Sequence, residues 1–357
     1  SPSSGAAQTY VPSKFINEGG AIELGVSPGD PGNPDLKPER GKEFEAGFDA
    51  GFLNDRLGLE LTYFNKKSTD LIVNVPTAPS SGFGGSIANI GQVQNTGFEF
   101  LLRASPVRRS AISWDASLNG STLHNEILEL GTVGTFINNF RAFTEGRQIA
   151  AFWANKVRSV DVANNKAIVS DTAEFIGNQL PTFQASLTNT VTLFKNIRLY
   201  ALLEAKTGYY SYNVNQENRD RSRLNSFEVV NPADKGGYSP EERLRRLGPY
   251  VSEKTGAAVG VANVKDPYMQ KADHLRLREV SATFLLPASL LRTARVSGAS
   301  ITVGGRNLGL WKSKYEGDDP DVLGLGTTTN GINQLFTADV FTTPPNRRFI
   351  VRLNVQF

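Results

Sequence analysis

Asn346-Arg347-Arg348-Phe349-Ile350-Val351-Arg352-Leu353-Asn354-Val355-Gln356-Phe357 is the stretch on which the fold turns. Side chains of an extended chain alternate between faces. Phe349, Val351, Leu353, Val355 and Phe357 therefore share one face, and Arg348, Ile350, Arg352, Asn354 and Gln356 the other. A strand of about eleven residues tilted by roughly 45° rises close to 25 Å, the height of the apolar band of a membrane β-barrel. Soluble strands average about five to six residues. Period and length predict a membrane-spanning strand, with an edge strand of a soluble sandwich as the alternative.

The same alternation recurs upstream. Phe44, Ala46, Phe48, Ala50 and Phe52 oppose Glu43, Glu45, Gly47, Asp49 and Gly51, and after a turn at Asn54-Asp55, Leu57, Leu59, Leu61 and Tyr63 oppose Gly58, Glu60 and Thr62. A strand over 93–104 carries Phe98, Phe100, Leu102 and Ala104; Pro106 to Ser110 read as a turn, because Pro cannot donate to a ladder. Its partner carries Ile112, Trp114, Ala116 and Leu118. A fifth strand sets Phe183, Ala185, Leu187, Val191 and Leu193 on its apolar face, with Asn189 as the exception, and a sixth sets Leu199, Ala201, Leu203 and Ala205. In the seventh the phase slips near Arg278-Glu279, between Leu275/Leu277 and Val280/Ala282/Phe284, which predicts a β-bulge. Pro287 to Ser297 connect, with one helical turn, to a strand around Ile301 and Val303.

The rest reads as connection. Gly, Pro and Ser make the first 40 residues a loop, and the stretches 68–90, 124–180, 213–270 and 312–345 are long loops. Local hairpins are expected around Phe152-Trp153 and Ala167-Ile168-Val169. Ser239 to Gly248 have the Ser cap, first-turn Pro and acids, and terminal Gly of a short helix. Strands pair through short links of about four to eleven residues, and the pairs are joined by links of roughly 23 to 60, the rhythm of barrels with short turns at one end and long loops at the other. The fold class is therefore all-β, an antiparallel transmembrane β-barrel portion of about nine long strands. Phe44, Phe48, Leu59, Phe100, Trp114, Leu187, Leu203, Val351 and Leu353 should face outward, and Glu45, Glu60, Glu99, Asp115, Gln184, Glu204 and Arg352 inward.

Composition narrows the function classes. Hydrophobic residues are 39% and charged residues 20% of the 357, and no run approaches the roughly 18 apolar residues of a membrane helix. A net charge of +3 with scattered bases gives no nucleic-acid footprint. Cys is absent and the only histidines, His124 and His274, are far apart, so no metal or other cofactor is expected and a hydrolase lacks a placed base. The Asp318, Asp319 and Asp321 cluster is a Ca²⁺ candidate, with a solvated turn at Pro320 as the simpler reading. Gly304-Gly305 lacks the context of a nucleotide loop. Tyr209, Tyr210 and Tyr212 read either as an interfacial aromatic girdle or as a platform for stacking on substrate, and Phe152 and Trp153 carry the same substrate-binding reading.

A resemblance emerges from several motifs. Asn33-Pro34-Asp35-Leu36-Lys37-Pro38-Glu39 followed by Glu43 and Gly47, then Leu61 to Asn65, Thr69 to Ile72 and Asn95 to Glu99, resemble the barrel of TonB-dependent outer-membrane transporters. Leu275 to Val280, Leu286-Pro287, Gly305-Arg306-Asn307-Leu308 and Tyr315 to Asp321 resemble the closing segments of the SusC/RagA branch. The terminal Phe357 resembles the assembly signal of bacterial outer-membrane barrels. The resemblance implies uptake of oligosaccharides or peptides across the bacterial outer membrane and no enzymatic activity. It implies as partners the membrane lipids, a SusD-like surface lipoprotein, the TonB complex acting through a plug domain, and the remaining N-terminal part of the same barrel. A non-transporting surface adhesion or structural barrel is the alternative. The chain opens without a leader, shows no plug, and has nine strands where barrels of this class have 22. Residues 1–357 are accordingly expected to be the C-terminal part of such a barrel, an open curved sheet with edges at Glu43 to Phe52 and Arg348 to Phe357.

Overall fold

The computed structural model describes residues 10–16, 19–29, 31–83, 85–138, 140–222, 227–287, 291, 296–312, 314–321, 338–340 and 343–357. Nine long strands form one antiparallel meander: β1 Arg40–Phe52, β2 Leu57–Val75, β3 Ser86–Arg108, β4 Ile112–Thr122, β5 Phe183–Leu193, β6 Ile197–Thr207, β7 His274–Leu285, β8 Gly298–Lys312 and β9 Arg348–Gln356. Each pairs with its sequence neighbours, and the order runs from β9 to β1 without closing. The links 53–56, 109–111, 194–196 and 286–297 lie at one end of the sheet, and the long connections at the other.

Register explains why the two faces differ. Val351, Val303, Ala282, Leu199, Val191 and Trp114 stand in one row across six strands. Val351, Val303, Leu199 and Trp114 are 76%, 50%, 40% and 38% exposed, and Val191 and Ala282 are half-buried, so no second sheet among the described residues covers this row. Phe44 and Phe48 are likewise exposed, whereas Leu59, Phe100, Leu187 and Leu203 are half-buried by their row neighbours. One residue over, Asp49, Glu60, Leu101, Asn119, Ser186, Glu204 and Arg276 line up on the opposite, concave face. Leu101 is an apolar exception there. Asn189, the polar exception on the outer face, accepts from the Trp114 indole N–H at 3.2 Å, which gives both polar atoms a partner on an otherwise apolar surface.

Two irregularities aim side chains. At the slip in β7, Leu277 and Glu279 pair with neighbours on both sides while Arg278 is skipped, so a bulge turns Arg278 and Glu279 to the same concave face. The other irregularity corrects the sequence reading: β3 continues through Pro106 to Arg108. Its register shifts between Ala104 and Val107, so the missing N–H of Pro106 falls where the ladder is already interrupted.

The loop boundaries also need correction. Tyr10–Ile16 and Ile22–Pro28 form a hairpin inside the expected N-terminal loop, and β2 and β3 extend past the membrane-length core to leave only 76–85 between them. Beyond the start of β1, the 33–39 segment is held by side chains. Asn89 Nδ2 donates to Lys37 O at 2.9 Å and Asn33 Nδ2 to Ile87 O at 2.9 Å, while Glu39 accepts from Ile72 N at 2.8 Å. The strand Gly298–Lys312 is longer than the one expected around Ile301 and Val303. The helical turn expected in 287–297 falls mainly outside the described residues, as does much of 312–345.

Candidate functional site

The long connections are folded, not draped. The hairpins expected near Phe152 and Ala167 are present, as the strands Ala151–Ala154 and Lys166–Val169 in two small sheets. Lys166–Val169 also pairs in parallel with Tyr250–Ser252, and Tyr210–Asn213 pairs antiparallel with Met269–Lys271 and parallel with Ala338–Asp339, so connections from different strand pairs share sheets. The buried apolar clusters lie here or at the adjoining strand ends, not under the outer face of the meander.

A charged hub ties these connections together. The helix Pro240–Leu247 starts as expected, with Ser239 Oγ accepting from Glu242 N at 3.1 Å, and Gly248 at φ 78° ends it. From this helix Arg246, 2% exposed, reaches Glu242 at 2.5 Å and both carboxylate oxygens of Glu316 at 2.6 and 2.8 Å. Its guanidinium lies 4.7 Å from the Tyr238 ring centroid. Burial works against its charge, but Glu316 outweighs burial and raises its pKa. Asp220, fully buried, accepts from the Tyr238 and Tyr268 hydroxyls, each at 3.0 Å. Arg221 donates to Glu217 at 3.1 Å and to the Tyr250 hydroxyl at 2.8 Å. Burial, only partly offset by Arg221, leaves the Tyr250 phenol pushed up to about 12.

The aromatic candidates divide by exposure. Phe152 is 0% exposed, packed with Tyr212, Tyr268 and Met269, and Tyr209 and Tyr212 are 3% and 4% exposed. Neither tyrosine faces lipid, so the girdle reading does not hold for them. Tyr212 donates to Glu217, and burial first, then that carboxylate, raises its pKa. Tyr209 donates to Pro320 O at 3.2 Å and contacts His274 Nδ1 at 3.3 Å. Trp153 and Tyr210 are half-buried, and Tyr210 borders a cavity of about 700 Å³ just beyond the ends of β6 and β7. Phe357 is 95% exposed after the last strand.

The acidic turn is neither a Ca²⁺ cage nor a solvated loop. Asp319 is buried and bonded to Arg276, and Asp321 meets Lys206 at 2.6 Å and Arg278 at 2.5 Å. Arg278 also grips Glu204 at 2.5 and 3.0 Å, so the β7 bulge supplies the cation that docks the turn on the concave wall. Burial opposes ionisation of Asp321, but Lys206 and then Arg278 hold its carboxyl down at about 2. These partners sit in remote segments, which is why the spacing of the acids alone could not identify them. Below the turn, Glu60, Glu99, Gln184 and Glu204 border a groove of about 490 Å³ on the concave face, and Asp115 borders another of about 300 Å³ nearer the short links.

Residues 2–263 match the family model described as TonB dependent receptor-like, beta-barrel. TonB-dependent receptor P26 of Formosa agariphila is 27% identical over 95% of this chain and 36% of its own length. TonB-dependent receptor SusC of Bacteroides thetaiotaomicron is 35% identical over 28% of the chain and 10% of its own length. The structure of the RagAB peptide transporter superposes on 99% of the chain and 39% of the transporter chain, with a TM-score of 0.75 at 19% identity, a likeness of fold. The chain spans about a third of the length of the curated relatives that match it along most of its sequence.

Proposed function

The chain belongs to the TonB-dependent receptor-like β-barrel family, and on that premise we propose that it forms part of the wall and the outer mouth of an outer-membrane nutrient importer. The observation that carries this reading is the meander itself: nine strands with an exposed apolar face and a polar concave face. In hydrocarbon every backbone polar group needs a partner, so a sheet facing lipid has to close. The outer edges of β1 and β9, unpaired among the described residues, fit a C-terminal barrel part, residues 1–357, whose remaining strands and plug domain belong to the whole protein. Transport energised by TonB through that plug, and a SusD-like lipoprotein over the mouth, are part of the same proposal. Phe152, Trp153, Tyr209, Tyr210 and Tyr212 enter it as the mouth's aromatic cluster. Trp153 and Tyr210 contact cargo and the buried three hold the loops that present it. Phe357 serves as the assembly signal.

The packed long connections favour one second reading, a rigid surface adhesion without transport. Uptake separates the two. A strain lacking the whole receptor should lose import of a nutrient oligomer, and the full-length protein should restore it and co-purify with a surface lipoprotein. Unchanged uptake of every oligomer tested, with surface attachment lost, would leave the adhesion reading standing.

A further inference from the structure

Charge on the concave wall is segregated by strand. Glu43, Glu45, Asp49, Glu60 and Glu99 occupy this face of β1–β3, relieved by Lys66 and Arg103. β5 presents Gln184, Ser186, Thr188, Thr190 and Thr192, none of them charged. On β6–β9 the same face holds Arg198, Lys206, Arg276, Arg306, Arg348 and Arg352 against Glu204 and Glu279. Arg278 joins them through the bulge. This basic stripe runs from the long-connection end, at Lys206, to the short-link end, at Arg198 and Arg352. Among the described residues Arg198, Arg348 and Arg352 have no ion pair.

The cavity beyond β6 and β7 continues the stripe. Lys156, Arg245, Lys271 and Lys314 border it. Its two acids offset them only in part. Glu316 is committed to buried Arg246 and to Gln270, and Asp266 accepts from Val157 N at 3.2 Å while burial raises its pKa. Arg245 and Lys271 have carboxylate partners at 3.4 and 2.8 Å, whereas Lys156 and Lys314 have none within ion-pair distance among the described residues, Lys156 acting on Asp266 only through space. The chain also carries its own example of an anion seated on this surface. The segment that borders the cavity at Lys314 and Glu316 goes on to place Asp319 and Asp321 on Arg276, Lys206 and Arg278.

We propose that the cargo is an anionic oligomer, whose carboxylate groups are received at the mouth by Lys156 and Lys314 and passed along the arginine stripe of β6–β9. The proposal rests on the import reading. Charge-assisted hydrogen bonds to Arg and Lys supply its affinity, and the field of the stripe supplies its sign selectivity. The uncharged face of β5 separates this path from the acidic wall.

The test uses the full-length receptor purified with its surface partner. Binding is measured for oligogalacturonate and oligoglutamate, and for a galacto-oligosaccharide and an oligoglutamine of matching length. At least one anion should bind, more weakly as salt rises, and the two anions distinguish sugar from peptide as the source of charge. Lys156→Gln combined with Lys314→Gln should weaken that anion about tenfold, the loss of a charge-assisted hydrogen bond. Lys156→Arg with Lys314→Arg should restore it. Neutral oligomers binding as tightly, neither anion binding, or anion affinity unmoved by the paired Gln substitutions would overturn the proposal. Because binding is read on purified protein and import in the deletion strain, failure of the cargo class is distinguishable from failure of transport.

Discussion

Leu187 shows what the outer face demands of a single residue. It stands mid-strand in β5, in a row with Leu203, Leu118, Leu102 and Leu59, on the face that would meet acyl chains. Leu187→Arg in the full-length protein folded into bilayers should cost about 2–4 kcal/mol in a denaturant titration. Ser186→Arg, one residue away on the concave face, should be close to neutral; equal costs at the two sites would argue against lipid on the Leu187 side. Arg246 poses the converse problem, a cation already out of water. Arg246→Ala removes the cation shared by Glu242, Glu316 and buried Asp220; because Glu316 is half exposed and keeps Gln270, the stability of the connecting loops should fall by roughly 1–3 kcal/mol. Hydrogen exchange across Pro240–Leu247 reads that loss, and a change below about 1 kcal/mol would show that the hub does not hold the loops.

At the scale of elements, Ser239→Ala should destabilise the helix Pro240–Leu247 by about 1 kcal/mol, seen as earlier exchange of its first-turn amides. The acidic turn has a pH signature. The Asp321 carboxyl is held at about 2, below its ordinary 3.8, so its contribution to docking is full above 3.8 and is lost as pH falls through about 2. A fluorophore on the turn should report undocking between these values and nothing from pH 7 to 4; release near neutrality would count against the Lys206 and Arg278 latch. The meander was legible in the sequence because a half-buried strand writes its faces with period two. Even the β7 bulge showed as a lost beat at Arg278. The hairpin at 10–28 is hard to read from sequence although Ile22, Leu24 and Val26 alternate, because the Gly and Pro around them carry the signature of a loop. The hub was beyond reach for a different reason: Arg246 finds Glu316, and Asp220 finds Tyr268, through packing that no local period records.

For the whole molecule, the unpaired edges of β1 and β9 make a claim about the native assembly. If the chain is the proposed part of a larger barrel, the amides of Arg348–Gln356 in the full-length protein should exchange as slowly as those of β5; fast exchange confined to β1 and β9 would mean that the edges stay free. The shared sheets of the mouth carry a separate consequence, one of timing. Residue 167 pairs with 250 and residue 212 with 338, so neither sheet can form until the strand pair between its segments, β5–β6 or β7–β8, has been threaded into place. Pairings so remote along the chain are slow to nucleate, because the loops between them must close first. In the proposed outer-membrane barrel, the connections would then cross the membrane before these sheets form, and fold after the strands that carry them. In a pulse-labelled assembly reaction, protection at Lys166–Val169 should lag behind protection at Phe183–Leu193, although the two segments are close neighbours in the order of synthesis.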